Sequence, residues 1–261
     1  MNPTGNTILI TGGGSGIGRG LAEAFHKQGN QVIIAGRRQS VLDETTAANP
    51  GMKSRTLNME DAAAIKAFAA KLVADFPSLN VVINNAGIMK PENLATEPID
   101  LSTAESIITT NLLGPLRLTA ALLPTLKKQP KATIVTVSSG LAFLPLAGTP
   151  TYCATKAAIH SWTQSLRYQL RDTNVQVLEL APPYVQTELM GARQAADPNA
   201  MPLADFINEA VALFDDPPAS GEILVKRVEA LRWAEKNGSF EQIFGQLNGA
   251  HHEELVAGAR S

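Results

Sequence analysis

Tyr152-Cys153-Ala154-Thr155-Lys156 sets a phenol and an ammonium four residues apart, on one face of any helix that carries them. A neighbouring cation favours the phenolate, so Lys156 is expected to draw the Tyr152 phenol down from about 10 toward a range useful for proton transfer. The same spacing also arises by chance in many helices. Earlier in the chain Ser139 offers a hydroxyl, with Ser138 beside it as the alternative. A second cluster, Thr11-Gly12-Gly13-Gly14-Ser15-Gly16-Ile17-Gly18, is rich in residues that tolerate positive φ and let a backbone approach a pyrophosphate at a helix N-terminus. Its spacing, Gly12-x-x-x-Gly16-x-Gly18, departs from G-x-G-x-x-G, and plain turn chemistry also uses such runs. A third, Gly36-Arg37-Arg38, follows at roughly the 20-residue distance where an acidic residue would read the ribose of NAD and an arginine the 2′-phosphate of NADP. No Asp or Glu stands there. Two guanidiniums can clamp a phosphate bidentately, so NADP(H) is the expected cofactor, against the alternative of two solvated arginines.

These residues need elements to hold them. Thr7 to Thr11 is a short apolar run ending in glycines and predicts a buried strand. Ile17 to Lys27 has helical spacing and stops at Gly29-Asn30. Strands are then expected at Gln31–Gly36, Lys53–Asn58, Asn80–Asn84, Thr133–Ser138 and Val175–Leu180. Between them helices are expected at Gln39–Ala48, Asp61–Phe76, Ser102–Lys128 (one or a pair) and Thr151–Arg171. This alternation predicts an α/β fold: a doubly wound, mostly parallel sheet with helices on both faces. Ser139 then ends the fifth strand, in the crevice beyond the carboxyl ends of the strands where such sheets bind ligands. From Pro182 onward the rhythm is lost. Helical patterns cover Met201–Phe214, Glu222–Lys236 and Phe240–Leu247, with no convincing further strand. The chain is read as one domain, 1–261, whose residues 182–261 form a lid and a helical C-terminal extension.

With Asn84-Asn85-Ala86-Gly87 closing the fourth strand and Asn111 in the helical stretch after it, the chain resembles the short-chain dehydrogenases/reductases. The resemblance runs from about Thr7 to Thr187 with the motifs in the family's order. It implies a Rossmann-like domain that moves a hydride between a nicotinamide and a carbonyl or alcohol. By resemblance, Tyr152 is the proton donor, Lys156 lowers its pKa and binds the nicotinamide ribose, Ser139 holds the substrate oxygen, and Asn111 holds a water in a relay to Lys156. Gly12, Ser15, Ile17 and Gly18, with Gly16 among them, match the pyrophosphate turn. Asn85, Ala86 and Gly87 match the segment under the adenosine ribose, and Thr187, after Val185, the threonine at the carboxamide. The run Ser138–Leu146 and the stretch Leu203–Asn248 look similar to a bacterial branch of DltE-like oxidoreductases. Three positions depart from the family's pattern. Asn58, followed by Met59, replaces an Asp that meets the adenine. Pro182-Pro183 replaces Pro-Gly, which removes a donor and stiffens the loop. The family's seventh strand is not visible after Glu222, which argues for a homodimer through the helices at Leu112–Lys128 and Thr151–Arg171 rather than a tetramer.

Composition narrows the alternatives. The chain has 261 residues, 44% hydrophobic, with a net charge of −2 and one Cys. That balance gives no footprint for nucleic acid, and a lone Cys excludes an internal disulfide framework and fits a reducing compartment. Met1–Gly5 lacks the start of a secretory signal, and the window Asn111–Leu126 is too short and polar to span a bilayer, so a cytoplasmic protein is expected. Cys153 reads as a packed small residue, His26 and His160 as surface or packing residues, and His251-His252-Glu253-Glu254 as a solvated tail, so no metal site is expected. Leu141, Phe143 and Tyr184, with Leu144, Pro145 and Leu146, are expected to join Ser139 at the mouth of an apolar substrate pocket, under a lid from Met190 to Leu203. Two rival readings keep the fold: an epimerase or dehydratase using the same site, and a sensor that binds NADP without turnover.

Overall fold

The computed structural model describes residues 2–95 and 97–258. Side chains from position 250 on, and with them the tail His251–Glu254, lie outside the described residues. The chain begins β1 (Thr7–Thr11), α1 (Gly16–Lys27), β2 (Gln31–Gly36), α2 (Gln39–Ala48), β3 (Lys53–Thr56), α3 (Ala62–Asp75) and β4 (Leu79–Asn84). It continues with α4 (Ser102–Ile108), a π turn (Thr109–Leu113), α5 (Gly114–Leu126), β5 (Ala132–Val137), α6 (Pro150–Gln169) and β6 (Val175–Leu180). The last part holds α7 (Ala192–Ala195), α8 (Leu203–Asp215), β7 (Glu222–Ile223), α9 (Glu229–Arg232) and α10 (Phe240–Gly258).

The seven strands among the described residues are all parallel, in the order β3-β2-β1-β4-β5-β6-β7. Alternation along β1 and β2 sends Ile8, Ile10, Val32 and Ile34 to one face, against Leu21 and Phe25 of α1 and Phe206 and Phe214 of α8. Leu9 and Ile33 go to the other, against Leu72 of α3, Leu118 and Leu122 of α5 and Leu166 of α6. Continuous apolar strands are what a sheet covered on both faces requires. Because β1 pairs with both β2 and β4, the winding reverses at that point, and a crevice opens beyond the strands' carboxyl ends.

One expectation is corrected here. The seventh strand exists: Glu222 and Ile223 pair in parallel with Glu179 and Leu180 of β6. Two residues carry no period, so the segment read as helical. Of the helix expected over Glu222–Lys236, only a 3₁₀ turn at Lys226–Val228 and α9 form. The ground for preferring a dimer to a tetramer is therefore gone. The run Ser102–Leu126, within the expected helical stretch Ser102–Lys128, is 25 residues that by length and composition alone could cross a membrane. Its apolar side is used in packing, since Ile107, Leu118, Leu122 and Leu126 have no exposed surface.

Candidate active site

The glycine turn between β1 and α1 is shaped by contacts that leave no room for side chains. Gly12 sits at φ +68 and its N–H donates to Ala35 O at 2.7 Å. A Cβ on Gly12 would lie 2.9 Å from Asn85 Nδ2, and one on Gly18 2.3 Å from Gly12 O. The turn is tied to the end of β4: Thr11 Oγ1 accepts from the Asn85 and Ala86 amides, both at 3.1 Å, and Asn85 Nδ2 donates to Thr11 O at 2.9 Å. Backbone close to the crevice is what a pyrophosphate cradle needs, and the fit supports a dinucleotide there. Arg37 and Arg38 stand exposed at the rim of this end of the groove. Nearby, hydroxyl donation from Ser106, with Thr110 and the charges of Arg37 and Lys90, holds the Glu60 carboxyl below the usual carboxylate range. Asn58 Oδ1 accepts from the Glu60 amide at 3.2 Å, while Met59 is buried.

From Arg37 and Arg38 the groove, about 510 Å³ in all, runs past Gly16, Ile17 and Val185 to a cleft at Ser139, Tyr152 and Lys156. Tyr152 and Lys156 share a stripe of α6 and are both nearly buried, 6% and 5% exposed. Ser139 ends the extended segment after β5. Its Oγ accepts from the Leu141 amide at 3.1 Å and is hydrogen-bonded with the Tyr152 phenol. Lys156 Nζ donates to Val137 O at 2.8 Å and lies 5.6 Å from the centre of the Tyr152 ring. Its hydrogen bond goes to that carbonyl. Burial therefore dominates both groups, pushing Tyr152 up to about 12 and Lys156 down to about 8. The expected lowering of the phenol is thus corrected: burial of Tyr152, and not the cation beside its ring, sets the direction.

Asn111, in the π turn, is fully enclosed. Its Oδ1 accepts from the Ile88 amide and its Nδ2 donates to Ile88 O, both at 2.8 Å. Its side chain thus pins the segment after Gly87. A Cβ on Gly87 would come within 3.3 Å of Asn111 Oδ1 and 3.7 Å of Lys156 Nζ. Among the positions read from the sequence, Gly12, Ser15, Gly16, Ile17, Gly18, Arg37, Arg38, Asn58, Met59, Asn85, Ala86, Gly87, Pro182, Val185 and Thr187 all line this groove.

The substrate side differs from expectation. Phe143 turns away from the cleft, edge-on to His160 with ring centres 4.8 Å apart and 4.6 Å from the Arg232 guanidinium. Tyr184 points outward, its hydroxyl donating to Asp197 at 3.1 Å. Leu141, partly buried, packs against Ile107, Tyr152 and Cys153 as Ile88, Met89 and Leu146 do, and Leu144 is fully buried. The cleft is instead lined by Ile88, Met89, Lys90, Pro183, Glu188 and Leu189. The lining is mixed rather than apolar. Ser138, the alternative to Ser139, faces inward with its Oγ donating to Glu179 Oε1 at 2.5 Å. Of the two readings of His160, packing holds: it meets the same buried carboxylate, Nδ1 to Oε2, at 2.8 Å. Cys153 is packed: its thiol bonds to Leu146 and Thr149, and burial pushes its pKa up.

Sequence reasoning also missed Gln194. It is 7% exposed; its Nε2 donates to Val185 O at 2.9 Å and Thr187 Oγ1 at 3.2 Å, and its Oε1 accepts from the Met190 amide. One amide thereby latches the segment opposite the catalytic cluster. Nothing in the local pattern distinguishes this glutamine from a solvated one.

Comparison with known proteins agrees with this architecture. The family model for short chain dehydrogenases matches residues 6–198. The oxidoreductase DltE of Bacillus subtilis is 41% identical over 251 residues, covering 95% of this chain and 98% of that protein. The NADP-dependent 3-hydroxy acid dehydrogenase of Schizosaccharomyces pombe is 32% identical over 224 residues, covering 80% of this chain and 86% of that one. A Burkholderia cenocepacia short chain dehydrogenase solved in complex with NADP shares the fold, with a TM-score of 0.79 at 21% identity over 95% of this chain and 99% of that chain. Fold, motif order and these relatives agree, and the chain belongs to the short chain dehydrogenase family of oxidoreductases.

Proposed function

We propose that this protein is an NADP(H)-dependent carbonyl reductase, acting in reverse as an alcohol dehydrogenase. The observation that carries the reading is one continuous groove with Ser139, Tyr152 and Lys156 at one end and Arg37 and Arg38 at the other. NADPH would supply the hydride when bound. Ser139 Oγ accepts from the Leu141 amide, and its hydroxyl proton can turn from the Tyr152 phenol to a carbonyl oxygen. Tyr152 protonates that oxygen as it gains charge. With its pKa pushed up to about 12, the phenol is protonated at neutral pH, the state a donor needs. The Lys156 ammonium, held by Val137 O beside the phenol ring, balances the charge left on Tyr152. Asn111 holds Ile88 and so the floor of the cleft. Ile88, Met89 and Leu189 favour a carbonyl compound with an apolar body, and Lys90 and Glu188 leave room for a polar end.

The one cysteine is buried and unpaired, in keeping with a cytoplasmic enzyme. Ile108 and Leu113, at the junction of α4 and α5, and Tyr168 of α6 are exposed, which supports self-association through these helices, in a dimer or in a tetramer that also uses β7. The reading is tested by titrating the protein with NADPH and NADH while following Trp162 and Trp233 fluorescence. NADPH should bind more tightly. Replacing both Arg37 and Arg38 with Ala should weaken NADPH about tenfold and leave NADH nearly unchanged, a solvent-exposed share of what charge-assisted hydrogen bonds contribute. An equal loss for both nucleotides would refute the phosphate clamp. Turnover is then sought with a panel of ketones, using loss of nicotinamide absorbance.

A further inference from the structure

Glu179 is a carboxylate near the carboxyl end of a largely apolar strand, between Leu178 and Leu180, and it is 1% exposed. Both oxygens are engaged: Oε1 accepts from Ser138 Oγ at 2.5 Å, and His160 Nδ1 meets Oε2 at 2.8 Å and Oε1 at 3.0 Å. Burying such a group is expensive, and well-packed apolar residues in place of buried ion pairs are often as stable or more so. Stability of the sheet gives no reason for it. Its surroundings do. Tyr152, Lys156 and His160 follow one another at single-turn intervals along α6, so the carboxylate held by His160 lies one turn beyond Lys156. The residue it holds just past β5, Ser138, stands between Val137, whose carbonyl receives Lys156, and Ser139.

We propose that Glu179 is a positioning residue for the Ser139–Tyr152–Lys156 site: through Ser138 it fixes the end of β5, and it is the countercharge to the Lys156 ammonium. The proposal rests on the reading of that site given above. Burial pulls Lys156 toward its neutral form, and the charge that opposes this is Glu179. The other groups around the pair have partners of their own. Tyr152 is hydrogen-bonded with Ser139, and Asn111 with Ile88. Arg232 makes a two-point pair with Glu222, at 2.7 and 3.0 Å, while Arg167 donates to Val177 O and Gly221 O. His160, between Glu179 and the Phe143 ring, completes the set.

The test follows the titration of Lys156 directly, by carbon NMR of protein labelled at lysine, with the resonance identified from Lys156→Arg. In Glu179→Gln, which keeps the shape and removes the charge, the midpoint should fall from about 8 by roughly one to two pH units. Glu179→Asp keeps the charge but withdraws it; it should shift the midpoint the same way by less, and it carries the test if the Gln variant does not fold. Ser138→Ala leaves the charge in place. It should leave the midpoint where it is while speeding hydrogen exchange at the Ser138 and Gly140 amides by about tenfold. An unmoved Lys156 midpoint in a folded Glu179 variant overturns the countercharge, and unchanged exchange in Ser138→Ala overturns the positioning. Neither readout needs a substrate. A protein that reduces no carbonyl compound yet shows both responses would fail the proposed function and not this inference.

Discussion

Gly18→Ala would add one methyl group where the structure has no space. The new Cβ would stand 2.3 Å from Gly12 O and 2.4 Å from Asn85 Nδ2, against ordinary contacts well above 3 Å. The first neighbour is backbone, and Asn85 is held by its bond to Thr11 O, so no flexible tip can swing aside. The N-terminus of α1 must retreat from the turn by about 1 Å, a displacement that costs about a hundredfold where groups have to meet a ligand in register. NADPH affinity, read from Trp162 and Trp233 fluorescence and checked by calorimetry, should therefore fall about a hundredfold, with a stability loss of about 1–3 kcal/mol from overpacking. Gly148→Ala is the control: a Cβ there meets nothing within 4 Å, so affinity and thermal midpoint should stay as they are. Full NADPH affinity in a folded Gly18→Ala protein would refute the assignment of this turn as the pyrophosphate cradle.

Tyr152→Phe should lower carbonyl reduction by about 10²–10⁴-fold, the usual contribution of a positioned acid, while NADPH binding stays within about twofold; retained turnover would remove Tyr152 from the chemistry. Gln194→Ala removes three hydrogen bonds around Val185, Thr187 and Met190. It should reduce stability by about 2 kcal/mol and raise exchange at the Met190 amide, and an unchanged Met190 amide would show that the latch is not needed. The rate of reduction should fall as pH rises through about 8, because the ammonium that balances the developing phenolate is lost when Lys156 deprotonates. A rate flat to pH 10 would contradict the role given to Lys156.

The elements legible in the sequence were those that a short stretch can encode by itself. Asp61 was read as opening a helix, and its Oδ1 indeed accepts from the Ala63 and Ala64 amides to cap α3. The apolar runs of β1, β2, β4, β5 and β6 are buried on both faces, so continuous hydrophobicity marked them. β3, with Lys53 and Thr56 exposed at the sheet edge, was fainter but still bounded by turns. β7 was lost because a two-residue strand is defined by its pairing with β6, not by any pattern of its own.

Residue types and local spacing determined the glycine turn, the Tyr152–Lys156 stripe and the chemistry they suggest, since turn geometry and the helical repeat act over a few residues. Tertiary structure decided what depends on distant partners. Alternation places Ser138 and Ser139 on opposite sides, but only Glu179 on β6 determines which one faces the cleft. Phe143 follows Ser139 closely in sequence, yet His160 and Arg232 offer its ring a better contact than open water at the cleft mouth. Lys156 is the appropriate distance from Tyr152 along the chain, but the Val137 carbonyl and the burial of the cleft, not that spacing, set where its ammonium sits and how readily it gives up its proton.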